Sequence, residues 1–199
     1  MKAKKIAAVM LAATMTLSLA ACGGSSSSDS KSADGASDSG KVYKIGICQQ
    51  LEHEALDQAT KGFEDACEEK FGKDNVTFDL QNGQGEQANC ATIANNFVAD
   101  NVDLIMANAT TALQCSAAAT SDIPILGTSI TDYATALDIS DWTGATGMNI
   151  SGTSDLAPID KQEEMLTELV PDAKTVGILY CSAEPNSAYQ ANLFAEALK

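Results

Sequence analysis

The sequence predicts an α/β fold, a parallel β-sheet with helices on both faces. From residue 41 onwards, short apolar runs typical of buried strands alternate with longer segments in which apolar residues recur every three or four positions. Strands that alternate with helices in this way pair in parallel, because each connection carries a helix across a face of the sheet. Residues 41–199 also have an ordinary globular composition and are numerous enough to bury a sizeable core.

The first β–α unit is predicted over residues 42–72. Residues 42–50 form a buried strand that ends in polar residues, and residues 51–72 form a helix that Gly72 ends. The helix is indicated by apolar residues that share one face: Leu56, Ala59, Phe63, Ala66 and Cys67. A second unit comprises a strand over residues 76–82, a glycine-bearing turn and a helix over about residues 86–99.

Three further strands are predicted from apolar runs over residues 102–108, 122–129 and 144–151. A short helix over residues 109–120 separates the first two of these strands, and Thr110 or Thr111 can cap it. Another short helix, over residues 130–139, precedes the last strand. The predicted sheet therefore has five strands joined by helices.

A second series of elements begins near residue 154. It comprises a helix over residues 158–170, a strand over residues 174–182 and a helix over residues 186–199. One strand and two helices do not form a stable sheet by themselves, since apolar faces and strand edges would stay open. The sequence therefore predicts that the chain is part of a longer protein.

The first 40 residues are predicted to be an export signal and a tether. Residues 1–21 have the layout of a secretory signal peptide, with lysines ahead of a short apolar run that ends in small residues. Residues 19–22, LAAC, resemble a bacterial lipobox, which implies a lipid on Cys22 and an extracytoplasmic protein anchored to the cell membrane. Residues 22–40 are almost wholly small and polar after the cysteine, which predicts a disordered tether.

Charge and cysteine spacing exclude several kinds of site. The formal net charge is −15 and the chain contains no arginine, so nucleic acid is excluded as a partner. The cysteines beyond Cys22 are widely spaced: Cys48, Cys67, Cys90, Cys115 and Cys181. Without a C-x-x-C pair they argue against a zinc site and favour buried thiols. No metal or cofactor is implied.

Candidate ligand-binding residues lie directly after the predicted strands. Ligands of open parallel sheets bind beyond the carboxyl ends of the strands, where helix N-termini present N–H groups. These positions carry small hydrogen-bonding side chains, whereas His53 is the only histidine and no G-x-S-x-G elbow or phosphate loop is present. No catalytic residue is therefore predicted. His53 and Asp132 can each be a helix N-cap or a ligand contact.

Five blocks carry a family likeness: IGICQQLEHEALDQATKGFED, NGQGEQANCATIANNFVADNVDLIMANATTA, TSITDY, MNISGTSDLAPIDKQEEMLTELVPDAKTVGILY and AEPNS. In order and spacing they resemble the ABC-transporter substrate-binding lipoproteins of the tryptophan/tyrosine-type family. The resemblance implies a type I periplasmic-binding-protein fold, in which two α/β lobes close on a ligand by hinge motion. Residues 41–153 would form most of the first lobe, and residues 154–199 would begin an incomplete second lobe.

The resemblance also implies a set of ligand-binding residues. Carried over by position, they are Gln49, Gln50, Thr110, Thr111, Thr131, Asp132, Asn186 and Ser187. The threonines and helix N-termini suit an α-carboxylate, and Asp132 suits an α-ammonium. The implied function is to bind an amino acid, aromatic or otherwise apolar, and to deliver it to an ABC permease and its ATPase.

Two alternatives stay open. The first alternative keeps the fold and changes its use, to a ligand-sensing lipoprotein that docks on a signalling receptor. An α/β scaffold on the cell surface can also carry a hydrolase, in which His53 would be required for activity.

Overall fold

A computed structural model describes residues 40–199 of the chain. The predicted signal peptide over residues 1–21, Cys22 and the tether up to residue 39 lie outside the described residues. Five parallel strands form one sheet in the order β2-β1-β3-β4-β5. The strands are β1 Tyr43–Gln49, β2 Val76–Asn82, β3 Leu104–Asn108, β4 Ile125–Ile130 and β5 Ile150–Ser154. The predicted parallel α/β fold is confirmed.

Six α-helices accompany the strands between residues 40 and 199. They are α1 Glu54–Phe71, α2 Gln87–Ala99, α3 Thr110–Ala119, α4 Tyr133–Ala136, α5 Ile159–Leu169 and α6 Pro185–Ala197. None of them is long and apolar enough to cross a membrane. The chain adds β2 on one side of β1 and then β3 on the other, so the direction of winding reverses between β1 and β3.

The alternation of side chains along β1 explains why helices cover both faces of the sheet. Ile45 and Ile47 pack in one core cluster with Cys67 of α1. Cys48 belongs to a second cluster, which includes Phe97 of α2. Successive residues of a strand point to opposite faces, so an uninterrupted apolar strand requires cover on each side.

A glycine permits close packing between β1 and α2. A Cβ atom added at Gly46 would lie 2.6 Å from Cγ of Phe97, whose side chain is fully buried. Since real Cβ atoms do not approach other atoms so closely, the absence of a side chain at Gly46 lets the Phe97 ring rest against the strand. This contact fixes the depth at which α2 sits on the sheet.

The fifth strand lies later in the chain than the sequence predicts. The predicted strand covers residues 144–151, whereas β5 is Ile150–Ser154. Gly144 and Gly147 have positive φ, and the Thr146 hydroxyl donates to the carbonyl of Ile150 at 2.8 Å. The residues directly before Ile150 therefore form turns. Pairing with β4 begins at Ile150, which lies opposite Ile125.

The strand predicted over residues 174–182 is absent from the described part of the chain. This segment has no ladder partner among residues 40–199, although Val176, Ile178 and Leu179 give it strand-like composition. Leu179 is 101% exposed. The prediction is wrong for this structure because strand propensity expresses packing against neighbouring strands, and no strand lies beside the segment.

A matched pair of glycine substitutions tests the packing of β1 against α2. Gly46→Ala forces the Phe97 ring to move and should lower the free energy of unfolding by about 1–3 kcal/mol. Gly62→Ala adds its Cβ in open space on α1 and should raise it by about 0.5–1 kcal/mol. Chemical denaturation of both variants measures the difference, and a Gly46→Ala protein as stable as the parent contradicts the packing described.

Candidate functional site

The candidate site lies at the carboxyl ends of β1 and β3, where the direction of winding reverses. Gln49 and Asn108, the last residues of these strands, face each other in the parallel register. The amide of Gln50 donates to the carbonyl of Asn108 at 3.1 Å, which continues the pairing one residue beyond the strands. In open α/β sheets this reversal opens a crevice that binds ligands.

Unusual backbone conformations occur at this edge of the sheet. Ala109, between β3 and α3, has φ of +86°, and Ser129 in β4 has φ of +56°. Residues other than glycine rarely adopt positive φ, and such strain concentrates at functional sites. The conformation of Ala109 turns the chain directly from the strand into α3, so that the first turn of that helix faces the crevice.

The side chain of Gln50 bridges α3 and the loop before α6. Its Oε1 accepts from the backbone N–H of Thr111 at 3.1 Å, and its Nε2 donates to Oε1 of Glu184 at 3.1 Å. Gln50 is only 6% exposed. The N–H groups of a first helical turn have no acceptor within the helix, so the Gln50 carboxamide supplies one to Thr111.

A second contact joins the end of a strand, here β4, to α6. Nε2 of Gln190 lies 3.5 Å from Oγ1 of Thr131, and the carbonyl of Thr131 accepts from the hydroxyl of Ser154 at 2.8 Å. Thr131 is 6% exposed. Gln50 and Thr131, which follow β1 and β4, thus each connect the end of a strand to the region of α6.

A buried group of polar side chains lies beside the bridge. Oε1 of Gln49 accepts from the hydroxyl of Thr60 at 2.7 Å, and Nε2 of Gln49 donates to the carbonyl of Leu51 and to the carboxylate of Asp57. Nδ2 of Asn108 donates to the carbonyl of Leu56 at 2.8 Å and to the Thr60 hydroxyl at 3.0 Å. The Gln49 carboxamide is therefore directed at α1, whereas that of Gln50 is directed at α3.

The helix-capping alternative holds for His53 and Asp132. Nδ1 of His53 accepts from the amide of Ala55 at 3.2 Å and caps α1. Oδ2 of Asp132 accepts from the amide of Thr135 at 2.7 Å and caps α4. A carboxylate accepts several hydrogen bonds, so a cap at Asp132 leaves capacity for a ligand.

The remaining predicted residues differ in their surroundings. Thr110 is buried at the start of α3. Asn186 and Ser187 are half-buried in the first turn of α6, and the hydroxyl of Ser187 accepts from the backbone amide of Cys181 at 2.9 Å. Among the eight predicted ligand-binding residues, Gln50 and Thr111 are joined directly by a hydrogen bond. The role of the eight residues in ligand binding stays a prediction.

Thr60 was missed by reasoning from the sequence. It lies four residues after Leu56 and seven before Cys67, on the apolar face of α1, and is 3% exposed. A polar side chain at a buried position of a helix requires a hydrogen-bond partner. A threonine among the apolar residues of this helical face therefore indicates a buried polar contact.

Four of the five cysteines between residues 40 and 199 are buried thiols. Cys48, Cys67, Cys90 and Cys115 are buried free thiols, whereas Cys181 is exposed. A hydrogen bond with Cys90 and burial raise the pKa of the Cys48 thiol, and burial raises the pKa of the Cys67 and Cys115 thiols. These three groups are therefore protonated near neutral pH and pack as small apolar residues.

Comparison with known proteins identifies relatives across the described region. A family model described as ABC transporter substrate binding protein matches residues 44–199. A tyrosine-binding protein of Clostridioides difficile strain R20291 is 39% identical over 194 residues, which are 96% of this chain and 56% of that protein. The chain therefore spans little more than half the length of this relative.

Solved structures agree with the sequence comparison. An ABC domain from Streptococcus pneumoniae in complex with L-Trp has a TM-score of 0.74 and 36% identity, covering 79% of this chain and 54% of that chain. A branched-chain amino acid transporter substrate-binding protein from the same species, in complex with isoleucine, has a TM-score of 0.59 and 19% identity, covering 80% and 47%. The second likeness shows the type I periplasmic-binding-protein fold alone.

Proposed function

The chain belongs to the ABC transporter substrate-binding protein family, and we propose that it binds a free amino acid for import through an ABC permease and its ATPase. The family consists of binding proteins rather than enzymes. The ligand would lie in the crevice beyond β1 and β3, between the first lobe and the region of α6. An aromatic side chain on the ligand is the finer part of the proposal.

The bridge made by Gln50 is the observation that carries this proposal. Its carboxamide places an oxygen at the Thr111 N–H and a nitrogen at the Glu184 carboxylate. An α-amino acid requires the same two interactions, a donor for its carboxylate and an acceptor for its ammonium. The ligand carboxylate would replace the Gln50 oxygen at Thr111, and the released carboxamide would donate to that carboxylate.

The charges of the chain are consistent with a zwitterionic ligand. No arginine is available to form a bidentate pair with a carboxylate, so helix N–H groups and side-chain amides would bind it. Asp132 and Glu184 are acidic groups for the ammonium. A net charge of −15 disfavours ligands that are anionic overall, whereas a zwitterion carries no net charge.

The names of two relatives support an aromatic ligand. The C. difficile relative is described as binding tyrosine, and the S. pneumoniae domain contains L-Trp. Both are longer than this chain. Aromatic preference in the present protein is inferred from this likeness.

Calorimetry on the full-length protein tests the ligand class. L-Tyrosine, L-tryptophan and L-leucine should be compared with N-acetyl-L-tyrosine, which lacks the ammonium, and L-tyrosinamide, which lacks the carboxylate. The blocked forms should bind at least about tenfold more weakly, because each leaves a charged group of the site without its partner. Binding of a sugar or nucleoside, with no response to any free amino acid, would overturn the proposal.

A substitution that adds a negative charge at Gln50 tests the position of the ligand carboxylate by the same calorimetric titration. Gln50→Glu keeps the shape of the side chain and places a carboxylate beside the ligand carboxylate, so the Kd should rise about tenfold or more. Gln87→Glu is the control, since it makes the same chemical change on the exposed start of α2. Equal Kd values for the two variants would contradict a ligand carboxylate at the first turn of α3.

The membrane anchor forms a separate part of the proposed function. Cys22 follows LAA in the pattern of a lipobox and would carry a lipid that retains the receptor beside its permease. Cys22→Ser should move the protein from the membrane fraction to the soluble fraction when expressed in a bacterium that lipidates proteins. Cys181→Ser changes an exposed thiol and should leave the protein in the membrane fraction. Membrane retention of Cys22→Ser would refute the anchor.

A further inference from the structure

We propose that Thr60 is a positioning residue of the ligand site, which rests on the proposed function. Its hydroxyl holds the ends of β1 and β3 in one arrangement and thereby sets the distance between Gln50 and the first turn of α3. Thr60 lies on α1 and acts through Gln49 and Asn108. The hydrogen bonds among Gln49, Thr60 and Asn108 therefore affect the affinity of the protein for its ligand.

The Thr60 hydroxyl uses both of its hydrogen-bonding capacities. It donates to Oε1 of Gln49 at 2.7 Å and accepts from Nδ2 of Asn108 at 3.0 Å. The three residues are at most 4% exposed. A hydroxyl has a single donor, so donation to Gln49 leaves only its acceptor function for Asn108, and both bonds form only when the two strand ends are correctly placed.

The residues that Thr60 joins lie one or two positions before candidate ligand residues, Gln50 and Thr110. Gln49 precedes Gln50, and Asn108 precedes Ala109, whose positive φ directs the chain into α3. Gln49 and Asn108 are also register partners, so the network closes a ring across the two strands and α1. A shift at either strand end would alter the 3.1 Å bond between Oε1 of Gln50 and the Thr111 amide.

Burial alone does not account for this arrangement. Ser116 on α3 also has a fully buried hydroxyl, and that hydroxyl has no hydrogen-bond partner among residues 40–199. The fold therefore accommodates a buried hydroxyl without a network. At Thr60, by contrast, two carboxamides from different strands converge on one oxygen, which is the geometry expected of a group that fixes their relative position.

The test compares three variants of the full-length protein by two measurements. Thr60→Val keeps the side-chain shape and removes the hydroxyl, Thr60→Ser restores it, and Ser116→Ala removes the unpartnered hydroxyl as a control. Amide hydrogen exchange reports on the Thr111 N–H, and calorimetry measures the Kd for L-tyrosine. Melting temperatures are recorded so that both measurements are made where every variant is folded.

Thr60→Val should accelerate exchange of the Thr111 amide about tenfold and raise the Kd by a similar factor, whereas Thr60→Ser should stay within about threefold of the parent. Ser116→Ala should leave both quantities unchanged. A Thr60→Val protein with a lowered melting temperature but unchanged Thr111 exchange would overturn the positioning role, as would equal effects in Ser116→Ala. A parent protein that binds no amino acid would refute the proposed function, and the exchange result would still decide the role of Thr60.

Discussion

The parallel pairing of β1 with β3 is the constraint on which the candidate site depends. Because the winding reverses at this pair, β2 and β4 lie on opposite sides of it and a crevice opens at its carboxyl end. The register places Gln49 opposite Asn108. Gln50 directly follows Gln49, and α3 begins two residues after Asn108. Helices packed on both faces hold the pair rigid, with Phe97 against Gly46 on one face and Cys67 near Ile47 on the other.

In the proposed function, dipoles and amides at this edge bind the ligand, rather than cationic side chains. A chain with no arginine and a net charge of −15 has little means of attracting an anion over long distances. Helix N–H groups act only at short range, which suits a ligand that brings equal positive and negative charge. Like such a ligand, the carboxamide of Gln50 combines a hydrogen-bond acceptor and a hydrogen-bond donor. Gln50 thereby supplies a partner to both the Thr111 amide and the Glu184 carboxylate.

Reasoning from the sequence succeeded where a local pattern and the tertiary structure agree. The apolar runs predicted as β1 and β3 are strands whose residues are largely buried, as expected for the centre of a parallel sheet. It failed over residues 144–151, where two glycines with positive φ and the Thr146 hydroxyl make turns that apolar content does not reveal. It also failed over residues 174–182, because an apolar segment becomes a strand only beside a partner. At the site, capping was one of two alternatives for His53 and Asp132, and the structure shows both caps. The opposite directions of Gln49 and Gln50 depend on contacts with α1 and α3 that one sequence does not specify.

In the proposed function, the first turn of α3 binds the ligand carboxylate in place of the Gln50 carboxamide oxygen. A crystal structure of the full-length protein with bound L-tyrosine tests it most directly. The expected result is a carboxylate oxygen within about 3.2 Å of the Thr111 nitrogen, with Gln50 turned towards the ligand. A ligand whose carboxylate lies away from α3, with the bond between Gln50 and Thr111 intact, would contradict the account.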